Sequence, residues 1–212
     1  MSHSVNTEAF RPEFRDRAAG AFQIGYVGRL TPEKNVRFLA RLQQDLLAAG
    51  HRDFRFLLIG RGSEEHWLRE NMRHADFAGW LNGQELSRAF ANLDAFVFPS
   101  ETDTFGLAVL EALASGVPAL VSPGGGPKYT VEHGKSGYIA KHFDEFAPLL
   151  GTLMTHPEIH GPMRIGARTR ALSIGSWAEI FTGMYEAYER YAAPAAEVET
   201  LFLEDAGKTV NT

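Results

Sequence analysis

From Ala21 onward the chain alternates short apolar runs with stretches of helical periodicity, and few folds accommodate that rhythm. The runs read FQIGYVG (22–28), FRFLLIG (54–60), DFAGW (76–80), DAFVFPS (94–100), VPALVS (117–122) and GYIA (137–140). Between them lie a helix opened by Thr31 and Pro32 and closed at Gly50, then SEEHWLRENMRH (63–74) with Ser63 as cap, QELSRAFANL (84–93) and FGLAVLEALASG (105–116). A glycine-rich turn, GGGP (124–127), precedes a short helix near KYTVEHG (128–134), and three helical stretches follow near 143–156, 158–172 and 176–191.

Strands that alternate with helices pair in parallel, because a parallel pair needs a crossover long enough to hold a helix. The expected fold is therefore α/β, a Rossmann-like three-layer α/β/α domain over 21–192 with a parallel sheet of about six strands. Residues 1–20 form a lead-in and 193–212 a tail. In open sheets of this kind ligands bind beyond the carboxyl ends of the strands. The loops to inspect are GRLTPEKN (28–35), GRGSEE (60–65), PSETDTFG (99–106) and SPGGGPK (122–128).

Composition narrows the chemistry. With 44% hydrophobic and 22% charged residues the chain is globular rather than disordered. The absence of cysteine excludes disulfides, thiolate zinc sites and a cysteine nucleophile. A net charge of −5 weighs against a broad nucleic-acid surface but leaves room for a local basic pocket that takes an anionic small molecule. The first twenty residues lack the apolar run of a secretory signal, and no stretch of 18 uninterrupted apolar residues occurs, so a soluble cytoplasmic protein is expected. The histidines of HPEIH (156–160) are four apart, but Pro157 reads as a helix start that leaves His156 outside, so they are not taken as metal ligands.

Arg29 directly follows the first strand, and Lys34 falls near the third position of the helix expected from Thr31. A cation there opposes the helix dipole unless an anion sits beside it, and guanidinium and ammonium together suit a diphosphate. Lys34 pointing into water, or pairing with Glu33 or a nearby helix, satisfies the same residues. The G-x-G of GRGSEE lets backbone approach a phosphate at Gly62, although a tight turn needs no ligand. In PSETDTFG the first free amides of the next helix, around Phe105 to Leu107, point out at the sheet mouth. Glu111, the one ionised group between Phe105 and Ala114, leans back toward that mouth from an otherwise apolar helix. Asp103 rims it. The plain alternatives are a solvated stripe for Glu111 and an ordinary helix cap for Asp103.

Together these motifs carry a resemblance. DTFGLAVLEALASGVP (103–118) resembles the spaced double-carboxylate motif of family-4 (group 1) glycosyltransferases of GT-B fold. GRLTPEKN is similar to the segment after the first strand of that family's C-terminal domain, the glycine turn from Gly125 to Gly137 is similar to its next motif, and HSVNTEAFRP (3–12) to its interdomain linker. The resemblance runs over residues 3–191 in the family's order. It implies one half of a GT-B fold, the donor-binding half of a retaining hexosyltransferase, with residues 1–20 the remnant of an interdomain linker.

Carried over by position, Gly28, Arg29, Lys34 and Gly62 would surround the donor diphosphate, with the amides of Phe105, Gly106 and Leu107 assisting. Glu111 would accept hydrogen bonds from the ribose, Asp103 would touch the transferred sugar, and backbone from Phe77 to Trp80 would border the base. The resemblance implies a nucleotide-diphosphate sugar as partner, no cofactor, no metal and no nucleic acid. It also implies an N-terminal acceptor half, without which this chain is expected to be inactive, and an acceptor that is a glycan, a lipid-linked molecule, a polysaccharide or a small molecule. The full-length enzyme would sit in the cytoplasm or peripherally at the inner membrane face, in bacterial cell-surface glycan biosynthesis. One departure stands out: the family's first carboxylate is usually Glu, whereas Asp103 is shorter and Glu101 lies two residues before it. The alternatives are a non-catalytic nucleotide-binding module and another Rossmann-type enzyme, an oxidoreductase or a sugar-nucleotide epimerase. GRLTPEKN in place of a G-x-G-x-x-G turn argues against the oxidoreductase.

Overall fold

The computed structural model describes residues 5–18 and 20–174, with Thr182. Contacts divide the chain into two compact units, residues 1–176 and 177–212, and every element below belongs to the first. Apart from Thr182, the helix expected over 176–191 and the tail lie outside the described residues.

Six strands form one sheet: β1 (Phe22–Val27), β2 (Phe54–Ile59), β3 (Ala75–Gly79), β4 (Ala95–Phe98), β5 (Ala119–Val121) and β6 (Gly137–Ile139). Their order is β3-β2-β1-β4-β5-β6 and every pairing is parallel. Among the described residues six α-helices cover it: α1 (Arg37–Ala48), α2 (Glu65–Asn71), α3 (Gly83–Ala91), α4 (Leu107–Ala114), α5 (Phe146–Thr155) and α6 (Pro157–Ser173). The α/β expectation holds, with three layers. β4 and β5 are buried at every position, which is why they read as unbroken apolar runs rather than alternating ones. Among the described residues no helix is long and apolar enough to cross a membrane.

α4 is the most apolar of the covering helices, and Val109, Leu110, Ala112, Leu113 and Ala114 are all buried. Its alanines let α6 lie close against it. α6 straps the domain with arginine: Arg168 Nη1 donates to the carbonyls of Ala114 at 2.7 Å and Phe10 at 2.9 Å, and Arg170 Nε to Thr130 O at 2.9 Å. These bonds satisfy carbonyls at helix and turn ends that have no partner within their own element.

Several local expectations are corrected. The helix after β1 does not start at Thr31, which makes no side-chain cap. Pro32–Lys34 is a separate 3₁₀ turn, ended by Asn35 in the left-handed region (φ 53°), and α1 begins only at Arg37. Asn tolerates that conformation better than other non-glycine residues, and its Nδ2 reaches Pro99 O at 3.4 Å. Lys34 therefore does not occupy the third position of α1, and the dipole argument for it fails. Ser63 does not cap α2; the residue before the helix is Glu64, whose carboxylate is held by Arg37. The helix expected near 128–134 is a single 3₁₀ turn, Pro127–Tyr129.

The segment before β1 is part of the packed unit. Val5 is buried, and the Phe10 ring meets Phe90 edge-on at 5.6 Å. Arg15 Nη2 donates to Asp94 Oδ1 at 2.7 Å, Arg17 binds the other oxygen, and Gln23 N donates to it at 2.8 Å. Asp94 is buried. Removing its charge strands two guanidiniums that sit partly out of water. Asp94→Asn should therefore destabilise the domain by about 2–4 kcal/mol, somewhat below the cost of breaking a fully buried pair because both arginines keep some solvent. Urea denaturation at neutral pH measures this, and a loss under about 0.5 kcal/mol, the size of an ordinary surface change, would show that the anchor contributes little.

Candidate functional site

The strand order reverses between β1 and β4, so the loops after these two strands bound the crevice where a sheet of this kind takes its ligand. Three bonds tie them together. Asn35 Nδ2 donates to Pro99 O, Thr102 Oγ1 to Glu33 O at 3.1 Å, and Lys34 Nζ to Asp103 Oδ1 at 2.7 Å. On one flank the β1 and β2 loops run side by side, Leu30 N donating to Arg61 O at 2.9 Å and Glu64 N to Leu30 O at 2.8 Å. A Cβ on Gly62 would overlap the Leu30 carbonyl, so this glycine is required by loop packing, the ligand-free alternative. On the other flank Gly126 N donates to Asp103 O at 2.8 Å, and a side chain on Gly126 would collide with Thr104 O.

These contacts bring the sequence-predicted residues together as follows. Gly28 and Arg29 follow β1. Arg29, with its side chain 66% exposed, pairs with Glu33 at 3.2 Å in water, an interaction of little strength. Lys34 and Asp103, 15% and 19% exposed, form a sheltered pair, and Asp103 Oδ2 is buried with no partner among the described residues. Each cation expected to meet a diphosphate thus has a carboxylate beside it, one pair loose and one tight. Gly106 adopts the left-handed conformation (φ 73°) and starts α4 abruptly, with Phe105 packed on the core and Leu107 50% exposed. Phe77 lies inside β3 with the Arg69 guanidinium over its ring at 4.4 Å, away from the strand end. Trp80 lies just past that end, 70% exposed.

Glu111 sits four residues into α4, about 6 Å along the axis from its start. Among the described residues its carboxylate has neither hydrogen bond nor ion pair, and burial pushes its pKa up to about 7. Glu111 is half-buried, neither fully solvated nor a core residue, and that partial burial is the cause of its raised pKa.

Sequence reasoning missed three residues that shape the site, Asn35, Thr102 and Tyr26, and named Glu33 only as a partner for Lys34, whereas it pairs with Arg29. The hydroxyl of Tyr26, at the centre of the buried sheet, donates to Arg29 O at 2.9 Å. Burial, then the Asp103 and Glu33 carboxylates, push its phenol well above its usual range, so it stays a neutral donor that props the Arg29 loop. The available signal was a tyrosine in a strand with both faces covered, whose hydroxyl needs a partner. The HPEIH histidines diverge: His156 Nδ1 lies 2.9 Å from Thr155 Oγ1, and His160 Nε2 is 2.8 Å from Asp94 O. Among the described residues no three His, Cys, Asp or Glu side chains cluster as metal ligands.

Residues 21–156 match the sequence profile of a family described as glycosyl transferases group 1. The chain belongs to this family. It is 32% identical over 211 residues to a GDP-mannose-dependent alpha-mannosyltransferase of Corynebacterium glutamicum, a match that covers 95% of the chain and 49% of that protein. A sulfoquinovosyl transferase of Arabidopsis thaliana is 34% identical over 149 residues, 64% of the chain and 28% of that protein. The chain spans about half the length of the curated relatives it matches. Sucrose-phosphate synthase from Thermosynechococcus elongatus superposes with a TM-score of 0.76 at 22% identity, over 88% of the chain and 51% of that structure. The pneumococcal O-GlcNAc transferase GtfA, solved with UDP and GlcNAc, gives 0.71 at 20% identity, over 86% of the chain and 37% of that structure. At these identities the superpositions establish the fold, that of the Rossmann-like half of a GT-B glycosyltransferase.

The unpartnered carboxylate has a measurable cost. Because burial raises the pKa of Glu111 in the folded chain, the unfolded chain releases this proton first, and stability falls as pH rises from the ordinary carboxylate range to about 7. Glu111→Gln removes that loss. In the absence of ligand it should stabilise the domain by about 1–3 kcal/mol at pH 8 and have little effect at pH 4, at about 1.4 kcal/mol per unit less solvent screening. Urea titrations at the two pH values check this; an equal effect at both would mean that Glu111 is solvated.

Proposed function

We propose that this domain is the donor-binding half of a retaining glycosyltransferase that moves a hexosyl unit from a nucleotide-diphosphate sugar to an acceptor. The observation that carries the reading is Glu111, a half-buried carboxylate with no protein partner among the described residues, one turn inside the helix that follows the loop holding Asp103 and, through it, Lys34. Ribose hydroxyls are suitable donors for it. The diphosphate lies against Arg29 and Lys34, within reach of the amides that open α4. Leaving-group stabilisation is the main task in such a transfer, and fixed donors aimed at growing negative charge perform it. Lys34 is already oriented by Asp103, so it meets the phosphate without first ordering a long side chain. Asp103, which holds Lys34 in place, is the carboxylate that contacts the transferred sugar.

The names of the curated relatives favour GDP-mannose as the donor. The match covers 49% of the Corynebacterium relative, and with the acceptor half placed outside these 212 residues the chain should bind donor and turn over nothing. Arg29→Ala should weaken GDP binding by about 1.5–3 kcal/mol, the range for a hydrogen bond to a charged group. Glu111→Gln should weaken GDP but leave inorganic pyrophosphate unchanged. Calorimetry on the chain and both variants decides: equal GDP affinities for wild type and Arg29→Ala remove the diphosphate role, and a parallel loss of pyrophosphate in Glu111→Gln removes the ribose role.

A further inference from the structure

The carboxyl end of β3 carries two exposed groups that the fold leaves without a task. Leu30 N and Gly60 N fix the β2 loop, bonding to Arg61 O at 2.9 Å and Gly79 O at 2.7 Å, and the Arg61 side chain extends from this loop across the end of β3. A Cβ placed on Gly79 would meet Arg61 Nε at 3.8 Å, so the guanidinium lies over this glycine. Gly79 is in the left-handed region (φ 68°), and the pairing shifts between Leu58 and Ile59, so the end of β3 turns out of the regular ladder. Among the described residues the Arg61 guanidinium has no hydrogen bond, ion pair or aromatic partner. The neighbouring acids are already occupied, Glu64 by Arg37 and Glu65 by Arg69. Trp80, the next residue after Gly79, is 70% exposed.

Two interstrand spacings, about 10 Å, separate the end of β3 from that of β1, where Arg29 begins the phosphate loop. A ribose and its ester linkage bridge a comparable length. We infer that Arg61 reads the nucleotide base in the donor site proposed above, and selects guanine. Guanine presents two adjacent acceptors, O6 and N7, on one edge, which match the parallel N–H pair of a guanidinium. Adenine sets an amino donor beside N7, and uracil offers a single carbonyl flanked by an N–H and a C–H, so each forgoes half of the fork. Trp80 supplies an indole face on which any base stacks, which gives affinity without selectivity.

The inference rests on the donor reading, and one experiment separates the two. Calorimetry of GDP, UDP, ADP and inorganic pyrophosphate is run on the 212-residue chain, Arg61→Ala, Arg61→Lys and Trp80→Ala, with Arg29→Ala as reference. The wild type should prefer GDP to UDP and ADP by about tenfold or more, and Arg61→Ala should lower GDP affinity by about 10- to 100-fold while UDP and pyrophosphate hold. Arg61→Lys, which keeps charge but not the fork, should lose the preference as well. Trp80→Ala should weaken all three nucleotides alike and spare pyrophosphate. If Arg61→Ala weakens GDP and UDP equally, or neither, Arg61 is not the reader although the donor site stands. A wild type that prefers UDP or ADP overturns the inference in the same way. If Arg29→Ala also changes nothing, the donor reading falls with it.

Discussion

A helix that packs on a buried parallel sheet on one side and on a second helix on the other has almost no surface left for charge. α4 is in that position, with alanines and branched aliphatics at nearly every place, and it still carries Glu111. The domain half-buries that carboxylate and, among the described residues, gives it no hydrogen bond or ion pair, so partial loss of water disfavours its charged form. The rest of the crevice makes sense around this tension. The loop that opens α4, Arg29 and Lys34 of the β1 loop and Asp103 all lie at the same end of the sheet, with each cation beside a carboxylate.

The two ends of the sheet use charge in opposite ways. At the amino end Asp94 has both oxygens engaged by Arg15, Arg17 and Gln23, and the segment before β1 is held fast as a result. At the carboxyl end the pairs are unequal. Arg29–Glu33 is exposed and exchangeable, while Lys34–Asp103 is sheltered and joins loops 69 residues apart in the chain. A closed network confers rigidity, and a polar group left unsatisfied costs stability.

Much of this was legible in the sequence. Apolar runs that end in glycine or serine mark the strands, because a parallel sheet buried on both faces tolerates only such runs. The lone acid of α4 was conspicuous for the same reason. What stayed hidden was non-local or conformational. Thr-Pro-Glu-Lys has the composition of a helix start, and the left-handed break at Asn35, whose amide reaches Pro99 O, delays α1. No local pattern announces that Lys34 meets Asp103, since these partners come together only when β1 and β4 lie side by side. Gly62 was read as an approach to phosphate, but tight loop packing selects the same residue.

The most direct measurement is the titration of the Glu111 carboxyl followed by carbon NMR, with and without GDP. In the free chain its midpoint should lie near 7. With GDP bound, ribose hydroxyls that donate to the ionised form should bring it down toward the ordinary carboxylate range. A midpoint that GDP leaves in place, under conditions where calorimetry shows the nucleotide bound, would contradict the role given to this residue.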